Sequence, residues 1–342
     1  MSASSLSAST QTRLREATET AVATLLPRPQ RVTHVASELS PFSTSFRIED
    51  VTAYLESGEV VDVIRKDLSW ETMLDGARSI RSRHAHDSRR EIDVYRHLLP
   101  FAPAGPPRLL ADGGTEGPDG PWLMLERIAG IQLRHVGEVS AWAGAARWTG
   151  AFHAEFASPD RLAVAEGLGL PRLVADRMHQ TFVAATREIH RRTPRGVAAA
   201  AVGAIARSHP RVVQLLSRHR PTLIHGQLYP SNIIVSTGAR RRRIAILDWE
   251  TAAIGPGIVD LAALVEGRWT AEQRKDLIVA YLLGRDGAAP TSTVDRTTLE
   301  LACARLHLCL DLLALPADFD PPADQTADWL DLAVGLAGEV AS

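Results

Sequence analysis

The sequence contains little of what marks secreted or membrane-bound proteins. Its 342 residues include two cysteines, Cys303 and Cys309, in a stretch with helical periodicity. We expect both to be reduced core residues, as in cytoplasmic proteins. No apolar run reaches the length that spans a membrane, and the N-terminal segment lacks the apolar core of a signal peptide. We therefore expect a cytoplasmic protein that has no membrane partner.

The chain also lacks an excess of charge of either sign. It has 38 lysines and arginines against 40 aspartates and glutamates, a net charge of −2, which gives no electrostatic case for a nucleic-acid partner. Internal repeats are absent. With 45% hydrophobic and 23% charged residues, the chain is long enough to bury a substantial core and to form two lobes.

One stretch, residues 223–260, carries most of the candidate chemistry. Two short apolar runs, 233–235 and 244–247, are rich in β-branched residues and are separated by a polar turn, which predicts a β-hairpin. Asn232 precedes the first run and Asp248 follows the second, so a hairpin would bring the two together. An amide oxygen and a carboxylate there suit a Mg²⁺ ion that carries phosphates. The alternative is a capped hairpin with polar surface residues.

The motifs in this stretch resemble those of the aminoglycoside phosphotransferase and choline kinase-like family. HGQLYPSN, LDWE and GPGIVDLA match the family pattern His-Gly-Asp-x-x-x-x-Asn, then Ile-Asp-Trp/Phe-Glu, then a downstream Asp-Leu-Ala. One departure has consequences: the family's catalytic Asp is Gln227, which cannot take a proton. The resemblance implies an α+β, two-lobed protein-kinase-like fold, with a small antiparallel-sheet N-lobe and a larger, mainly helical C-lobe.

The resemblance also implies a role for each matching residue. Asn232 and Asp248 would be catalytic residues that hold Mg²⁺. His225 would complete the catalytic set by bracing the loop. Gln227, at the one position that departs from the family pattern, would also belong to this set and would align the acceptor hydroxyl. Asp260 would anchor this loop in a structural role.

A second group of candidates lies earlier in the chain. Residues 31–66 alternate between apolar and polar and predict strands, the third of which ends at Lys66. By resemblance Lys66 contacts the α- and β-phosphates, and Glu91, in a helical stretch, is its partner. Arg65 and Glu71 are the fallback candidates. Read alone, Lys66 and Glu91 would each be interpreted as a solvated surface charge.

The loop that covers the nucleotide phosphates in kinase-like folds corresponds here to Ser40–Ser45. It is rich in hydroxyl groups and contains no glycine. Backbone amides and the hydroxyls of Ser43, Thr44 and Ser45 could cradle phosphate oxygens, although a plain hairpin turn explains the loop equally well. Further on, the backbone from Glu126 to Ile128 would bind the nucleotide base by resemblance.

These assignments predict three regions. Residues 1–30 form an N-terminal extension and helix, 31–128 the N-lobe, and 129–342 the C-lobe. Residues 140–220 have helical patterns, and His153, on an apolar face there, is favoured as a core histidine over a ligand.

We therefore expect an enzyme, a phosphotransferase that moves the γ-phosphate of a nucleoside triphosphate to a hydroxyl of a small molecule or peptide. ATP or GTP would be the co-substrate with Mg²⁺, in antibiotic modification or natural-product biosynthesis. Gln227 leaves two alternatives open. One is a nucleotide-binding pseudokinase that serves as a regulatory or partner subunit, so a protein partner is compatible with the sequence. The other is a kinase-fold enzyme repurposed for another biosynthetic reaction.

Two further features bear on the acceptor. The aspartates towards the C-terminus, such as Asp311, Asp318 and Asp320, are mixed with apolar residues. They do not form the dense acidic set that a polycationic aminoglycoside requires. Arg240–Arg243 could grip an anionic substrate, but a solvated turn is favoured.

Overall fold

The computed structural model describes residues 8–43, 45–79, 83, 86–114, 120–236, 242–315 and 322–342. The chain folds into two compact units. The first unit comprises Met1–His97 and Pro106–Ala129, and the second comprises Leu98–Gly105 and Gly130–Ser342. The first contains an antiparallel sheet and the second is mainly helical, so the predicted α+β composition is confirmed. Five of the residues considered above lie outside the described ranges: Thr44, Arg240, Arg241, Asp318 and Asp320.

The first unit is a five-stranded antiparallel sheet with helix α1 packed on it. The sheet order is β1-β2-β3-β5-β4. Leu14, Ala21 and Val22 recur on one face of α1 and pack in one hydrophobic cluster with Val51 and Val63 of the sheet. The elements are α1 (Ala8–Leu25), β1 (Val32–Leu39), β2 (Ile48–Leu55), β3 (Val60–Asp67), α2 (Asp75–Ser79), α3 (Arg90–His97), β4 (Leu109–Asp112) and β5 (Trp122–Glu126).

One internal segment interrupts the first unit along the chain. Leu98–Gly105 belongs to the second unit, although it precedes β4 and β5 of the first. Its carbonyl groups explain this: Ala104 O accepts a hydrogen bond from Trp148 Nε1 at 3.1 Å, and Gly105 O accepts one from Arg243 Nε at 3.0 Å.

The second unit combines eight described helices with two small antiparallel sheets, of order β6-β8-β9 and β7-β10. The helices predicted within residues 140–220 are confirmed. The strands are β6 (Gly130–Gln132), β7 (Pro221–Ile224), β8 (Ile233–Ser236), β9 (Ile244–Ile246) and β10 (Ala253–Pro256). The helices are α4 (Val139–Phe156), α5 (Pro159–Gly167), α6 (Ala175–Arg192), α7 (Arg195–Ser217), α8 (Ile258–Leu264), α9 (Ala271–Asp286), α10 (Thr291–Leu313) and α11 (Ala323–Ala341).

Helices α4 and α9 approach each other closely because each carries a glycine where they meet. A Cβ atom on Gly150 of α4 would clash with the carbonyl oxygen of Tyr281 on α9. A Cβ atom on Gly284 of α9 would clash with the carbonyl oxygen of Arg147 on α4. Both positions therefore require glycine, and the close approach brings Tyr281 against α4.

Within the described part of the chain, no helix combines the length and the apolar character needed to cross a membrane.

The packing of α6 on α7 buries a histidine. His209 of α7 is 6% exposed and stacks on Phe182 of α6, with ring centroids 4.4 Å apart. Neither ring nitrogen has a hydrogen-bond partner among the described residues. Burial, with smaller contributions from His179 and His307, lowers the pKa of His209 to about 4. The ring is therefore neutral at pH 7.

This histidine predicts a loss of stability in mild acid. Unfolded His209 would titrate near its ordinary pKa of about 6.5, so the unfolded state binds the proton first as the pH falls. The contribution of the neutral His209 ring to the free energy of unfolding is present above about pH 6.5 and is lost progressively towards about pH 4. We expect His209→Phe, which keeps the stack on Phe182, to lose less melting temperature between about pH 7 and pH 5 than the wild type. Equal losses in the two proteins would contradict this.

Candidate functional site

The predicted hairpin is confirmed, and it brings the two candidate metal ligands to the same end. Strands β8 and β9 pair antiparallel, with Ile233 opposite Ile246. One step beyond this pair, the backbone N–H of Leu247 donates to the carbonyl oxygen of Asn232 at 2.9 Å. Asp248 is the next residue, so Asn232 and Asp248 both lie at this end of the hairpin.

Asp248 has an unusual backbone conformation. Its φ of 67° and ψ of 64° lie in the left-handed region, and among the described residues no other non-glycine residue has a positive φ. The 3₁₀ turn Trp249–Thr251 follows directly, with the Trp249 ring fully buried. Aspartate in this region costs of order 1 kcal/mol, and such strain persists mainly where the surroundings hold a functional side chain in place.

The loop from His225 to Asn232 is braced internally. The ring of His225 is buried, its Nε2–H donates to Leu247 O at 2.8 Å, and its Nδ1 accepts from the Gln227 backbone N–H at 3.3 Å. Asn232 Nδ2 donates to Gln227 O at 3.0 Å, so Oδ1 is the atom that could ligate a metal. His225 therefore supports the loop with both nitrogens.

Gln227 lies within this loop, two residues after His225. Its backbone groups are engaged by His225 and Asn232, whereas its half-buried side chain makes no hydrogen bond to any described residue. The side-chain amide is therefore available to a ligand. An amide oxygen accepts a hydrogen bond but does not take up a proton.

Asp260, on α8, anchors the start of this loop. Its buried carboxylate accepts the backbone N–H of His225 at 2.7 Å and that of Gly226 at 2.9 Å. His153 Nε2 lies 3.2 Å from the same carboxylate, and Tyr281 Oη lies 3.1 Å from His153 Nδ1. Since a carboxylate only accepts, His153 Nε2–H donates to Asp260, and in the tautomer with its proton on Nε2 the Nδ1 atom accepts from the Tyr281 hydroxyl.

The first unit contains a buried ion pair where the sequence predicts the lysine and glutamate. Lys66 Nζ on β3 lies 2.6 Å from Glu91 Oε2 on α3, and the side chains are 8% and 2% exposed. Lys66 Nζ also lies 4.9 Å from the centre of the Phe46 ring. The chain has only two lysines among its 38 basic residues, the other being Lys275. A lysine is therefore used here in a chain that otherwise relies on arginine.

The fallback candidates have partners of their own. Arg65 pairs with Glu49 at 2.8 Å, and Glu71 pairs with Arg83 at 2.9 Å with both side chains mainly exposed. Neither of these pairs competes with the buried pair of Lys66 and Glu91.

The other predicted nucleotide residues of the first unit lie near the turn between β1 and β2 and at the end of β5. Ser43 closes the turn between β1 and β2, where its hydroxyl group bonds with the backbone of Ile48. Ser45 O accepts the N–H of Leu74 at 3.0 Å. Thr44 lies outside the described residues. Glu126 ends β5 and Ile128 follows it in an irregular segment.

A model of the phosphotransferase enzyme family matches residues 77–293, which is more than half of the chain. The chain belongs to the phosphotransferase enzyme family. The prediction of an enzyme of the phosphotransferase class is thereby confirmed. A comparison with curated proteins gave no match.

Solved structures of other phosphotransferases share the fold of this family member. Wild-type aminoglycoside 2′-phosphotransferase-IIIa in its GDP complex is 16% identical, with a TM-score of 0.58 over 96% of this chain and 97% of that one. Ethanolamine kinase from Plasmodium vivax is 11% identical, with a TM-score of 0.60 over 90% of this chain and 82% of that one. Macrolide 2′-phosphotransferase type I is 14% identical, with a TM-score of 0.55 over 99% of this chain and 99% of that one. The predicted protein-kinase-like fold is confirmed.

The structure adds residues of this phosphotransferase that sequence reasoning missed. Tyr281 lies 128 positions from His153, and no local pattern links them. His153 is buried and bonded on both nitrogens, as expected for a core histidine, but it also supports the anchor at Asp260. The sheet of β7 and β10 was missed as well, although the apolar run Thr222–Ile224 was a signal for it.

The anchor predicts a large stability effect for a nearly isosteric change. In Asp260→Asn, the Nδ2 group must face a backbone N–H or His153, so a buried donor loses its acceptor. We expect a loss of about 3 kcal/mol in the free energy of unfolding, measured by urea denaturation. The exposed residue Asp276 on α9 provides the control, since Asp276→Asn should change stability by less than about 0.5 kcal/mol. Similar values for the two variants would contradict the anchoring role.

The buried pair predicts strong coupling between Lys66 and Glu91. Lys66→Met leaves a buried carboxylate without its cation and should cost about 3 kcal/mol of unfolding free energy. Adding Glu91→Leu removes that carboxylate, so the double variant should regain most of the loss. If the losses in unfolding free energy of the two single variants add up to the loss of the double variant, Lys66 and Glu91 are not coupled.

Proposed function

We propose that this phosphotransferase moves the γ-phosphoryl group of a nucleoside triphosphate, with Mg²⁺, to a hydroxyl group of a small molecule or peptide. The observation that carries the proposal is that the hairpin of β8 and β9 brings Asn232 and Asp248 to the same end, with Asp248 held in a left-handed backbone conformation. The family match supports the reaction class. The GDP bound to the similar aminoglycoside 2′-phosphotransferase-IIIa supports a nucleotide as donor.

Asn232 and Asp248 would hold the metal. An amide oxygen and a carboxylate fit Mg²⁺, which takes a few protein oxygens and fills its other positions with water and phosphate. The bound ion would neutralise charge on the phosphates.

Lys66 would bind the phosphates and Glu91 would fix its position. The short, buried ion pair keeps the Lys66 ammonium in one place, which is what a phosphate-binding lysine needs. The backbone from Glu126 to Ile128 would contact the base, and the loop with Ser43 and Ser45 would approach the phosphates through its amides.

Gln227 would orient the acceptor and not deprotonate it. The acceptor oxygen forms a bond to the γ-phosphorus while the bond from that phosphorus to the bridging oxygen breaks, and the nucleoside diphosphate leaves. In a loose transition state the hydroxyl proton is lost late, to a phosphoryl oxygen or to water, so a fixed base contributes little. The Gln227 amide oxygen can accept a hydrogen bond from the hydroxyl and align it. His225, with both nitrogens engaged, would act only as a brace.

The acceptor would contact the second unit beside Tyr229. Burial, followed by Asp311 and Glu266, raises the pKa of Tyr229 to about 12, so the phenol is a hydrogen-bond donor at neutral pH. Asp311 accepts from Thr181 at 3.0 Å, and Glu266 lies 3.3 Å from Arg305. These acids already have partners, so a neutral or modestly charged alcohol fits better than a polycation.

One observation favours a second candidate. Gln227 replaces the proton-accepting residue of the family motif, which fits a pseudokinase that binds nucleotide and acts as a regulatory or partner subunit. In that case neither a metal-site variant nor a Gln227 variant would alter any chemistry. The buried, free cysteines Cys303 and Cys309 are consistent with a cytoplasmic location for either candidate.

Nucleotide binding should depend on Asp248. We expect ATP or GTP with Mg²⁺ to raise the melting temperature of the wild type, since a ligand at a hundred times its dissociation constant adds about 2.7 kcal/mol. Asp248→Ala should lose the Mg²⁺-dependent part of the shift, whereas the exposed control Asp276→Ala should keep it. No shift with either nucleotide, or an equal shift in Asp248→Ala, would overturn the metal site.

Gln227→Glu tests the role of the amide once an acceptor is found. If Gln227 aligns the hydroxyl through its amide oxygen, a carboxylate keeps the acceptor atom and adds a base, so kcat should stay the same or rise by up to about 10². Gln227→Leu should lower kcat by roughly tenfold or more. An unchanged kcat in Gln227→Leu would exclude this residue from acceptor alignment.

A further inference from the structure

The second unit contains a cavity of about 770 Å³ near the C-terminal ends of α4, α7 and α9, a volume typical of small-molecule sites. Tyr281, His153 and Thr222 form part of its wall. Its charged lining comprises four arginines and two carboxylates: Arg218, Arg220, Arg285, Arg296, Asp286 and Glu300.

The charges of this cavity are unbalanced in favour of cations. Arg285 forms two hydrogen bonds with Asp286, at 2.8 and 2.6 Å, and Arg296 lies 3.6 Å from Glu300. Arg218 and Arg220 are exposed, and neither side chain has an ion pair or hydrogen bond with the described residues. His219 lies beside them, but burial lowers its pKa to about 4, so it is neutral at pH 7.

The same cavity touches the residues that anchor the loop at His225. Arg285 lies 5.4 Å from the centre of the Tyr281 ring. Tyr281 donates to His153, and His153 donates to Asp260. Asp260 in turn accepts the backbone N–H groups of His225 and Gly226. A ligand that draws Arg285 or Tyr281 towards the cavity would therefore act on the end of an unbroken, buried chain of hydrogen bonds.

We propose that this cavity binds a small phosphate-bearing anion and that binding regulates the loop at His225 and Gly226 through Tyr281 and His153. Two arginines without partners among the described residues provide planar, two-pronged donors that match phosphate oxygens. The route to the loop is contained within the second unit and does not require the nucleotide.

Anion binding in the cavity is tested by calorimetric titration of the full chain with inorganic phosphate and with pyrophosphate, without Mg²⁺. We expect saturable binding that weakens at least about tenfold in Arg218→Gln/Arg220→Gln. The matched control, Arg187→Gln/Arg195→Gln, changes two exposed arginines outside the cavity and should bind as the wild type does. No saturable binding, or binding that persists in the cavity variant and is lost in Lys66→Met, would overturn the site.

The effect of anion binding on the loop is tested by hydrogen exchange at the backbone amides of His225 and Gly226. Saturating pyrophosphate should change their protection at least about threefold in the wild type. Tyr281→Phe should bind the anion but lose this change, since only the hydroxyl group that reaches His153 is removed. Binding without any change in protection in the wild type, or an equal change in Tyr281→Phe, would refute the coupling. Neither readout depends on phosphotransfer.

Discussion

The carboxylate of Asp260 is the interaction on which the candidate site depends. It binds two consecutive backbone N–H groups, those of His225 and Gly226, and so fixes where the loop begins. His225 then bonds to Leu247 and to Gln227, which ties the loop to the hairpin that carries the candidate metal ligands. Moving this one carboxylate would displace the whole loop.

Each unit thus contains a prebuilt electrostatic element. In the first unit a buried lysine–glutamate pair holds one ammonium group in place. In the second, a buried carboxylate holds the loop at His225, and Asp248 has a strained backbone conformation. The buried ion pair costs desolvation free energy, and the left-handed backbone of Asp248 costs conformational strain. A stable fold needs neither arrangement. Phosphoryl transfer does need them, because positioned charges and metal ligands supply most of its catalysis.

Features carried by local patterns could be predicted from the sequence. The hairpin follows from two β-branched runs around a polar turn. The pair of Lys66 and Glu91 follows from the family resemblance, which implies a lysine at the end of the third strand and a partner glutamate in a later helical stretch. Contacts between distant segments could not be predicted. Tyr281 reaches His153 only because Gly150 and Gly284 allow α4 and α9 to approach closely, and no periodicity reveals that. The placement of Leu98–Gly105 in the second unit likewise depends on distant side chains, such as that of Trp148.

The most direct test of the account is the position of the metal. Crystals of the chain with Mn²⁺ and a non-hydrolysable nucleoside triphosphate analogue would locate the ion by anomalous scattering. The account predicts an ion at about 2 Å from both Asn232 Oδ1 and a carboxylate oxygen of Asp248, with phosphate oxygens completing its shell. A bound nucleotide whose metal contacts neither residue would contradict the assignment of the hairpin end as the metal site.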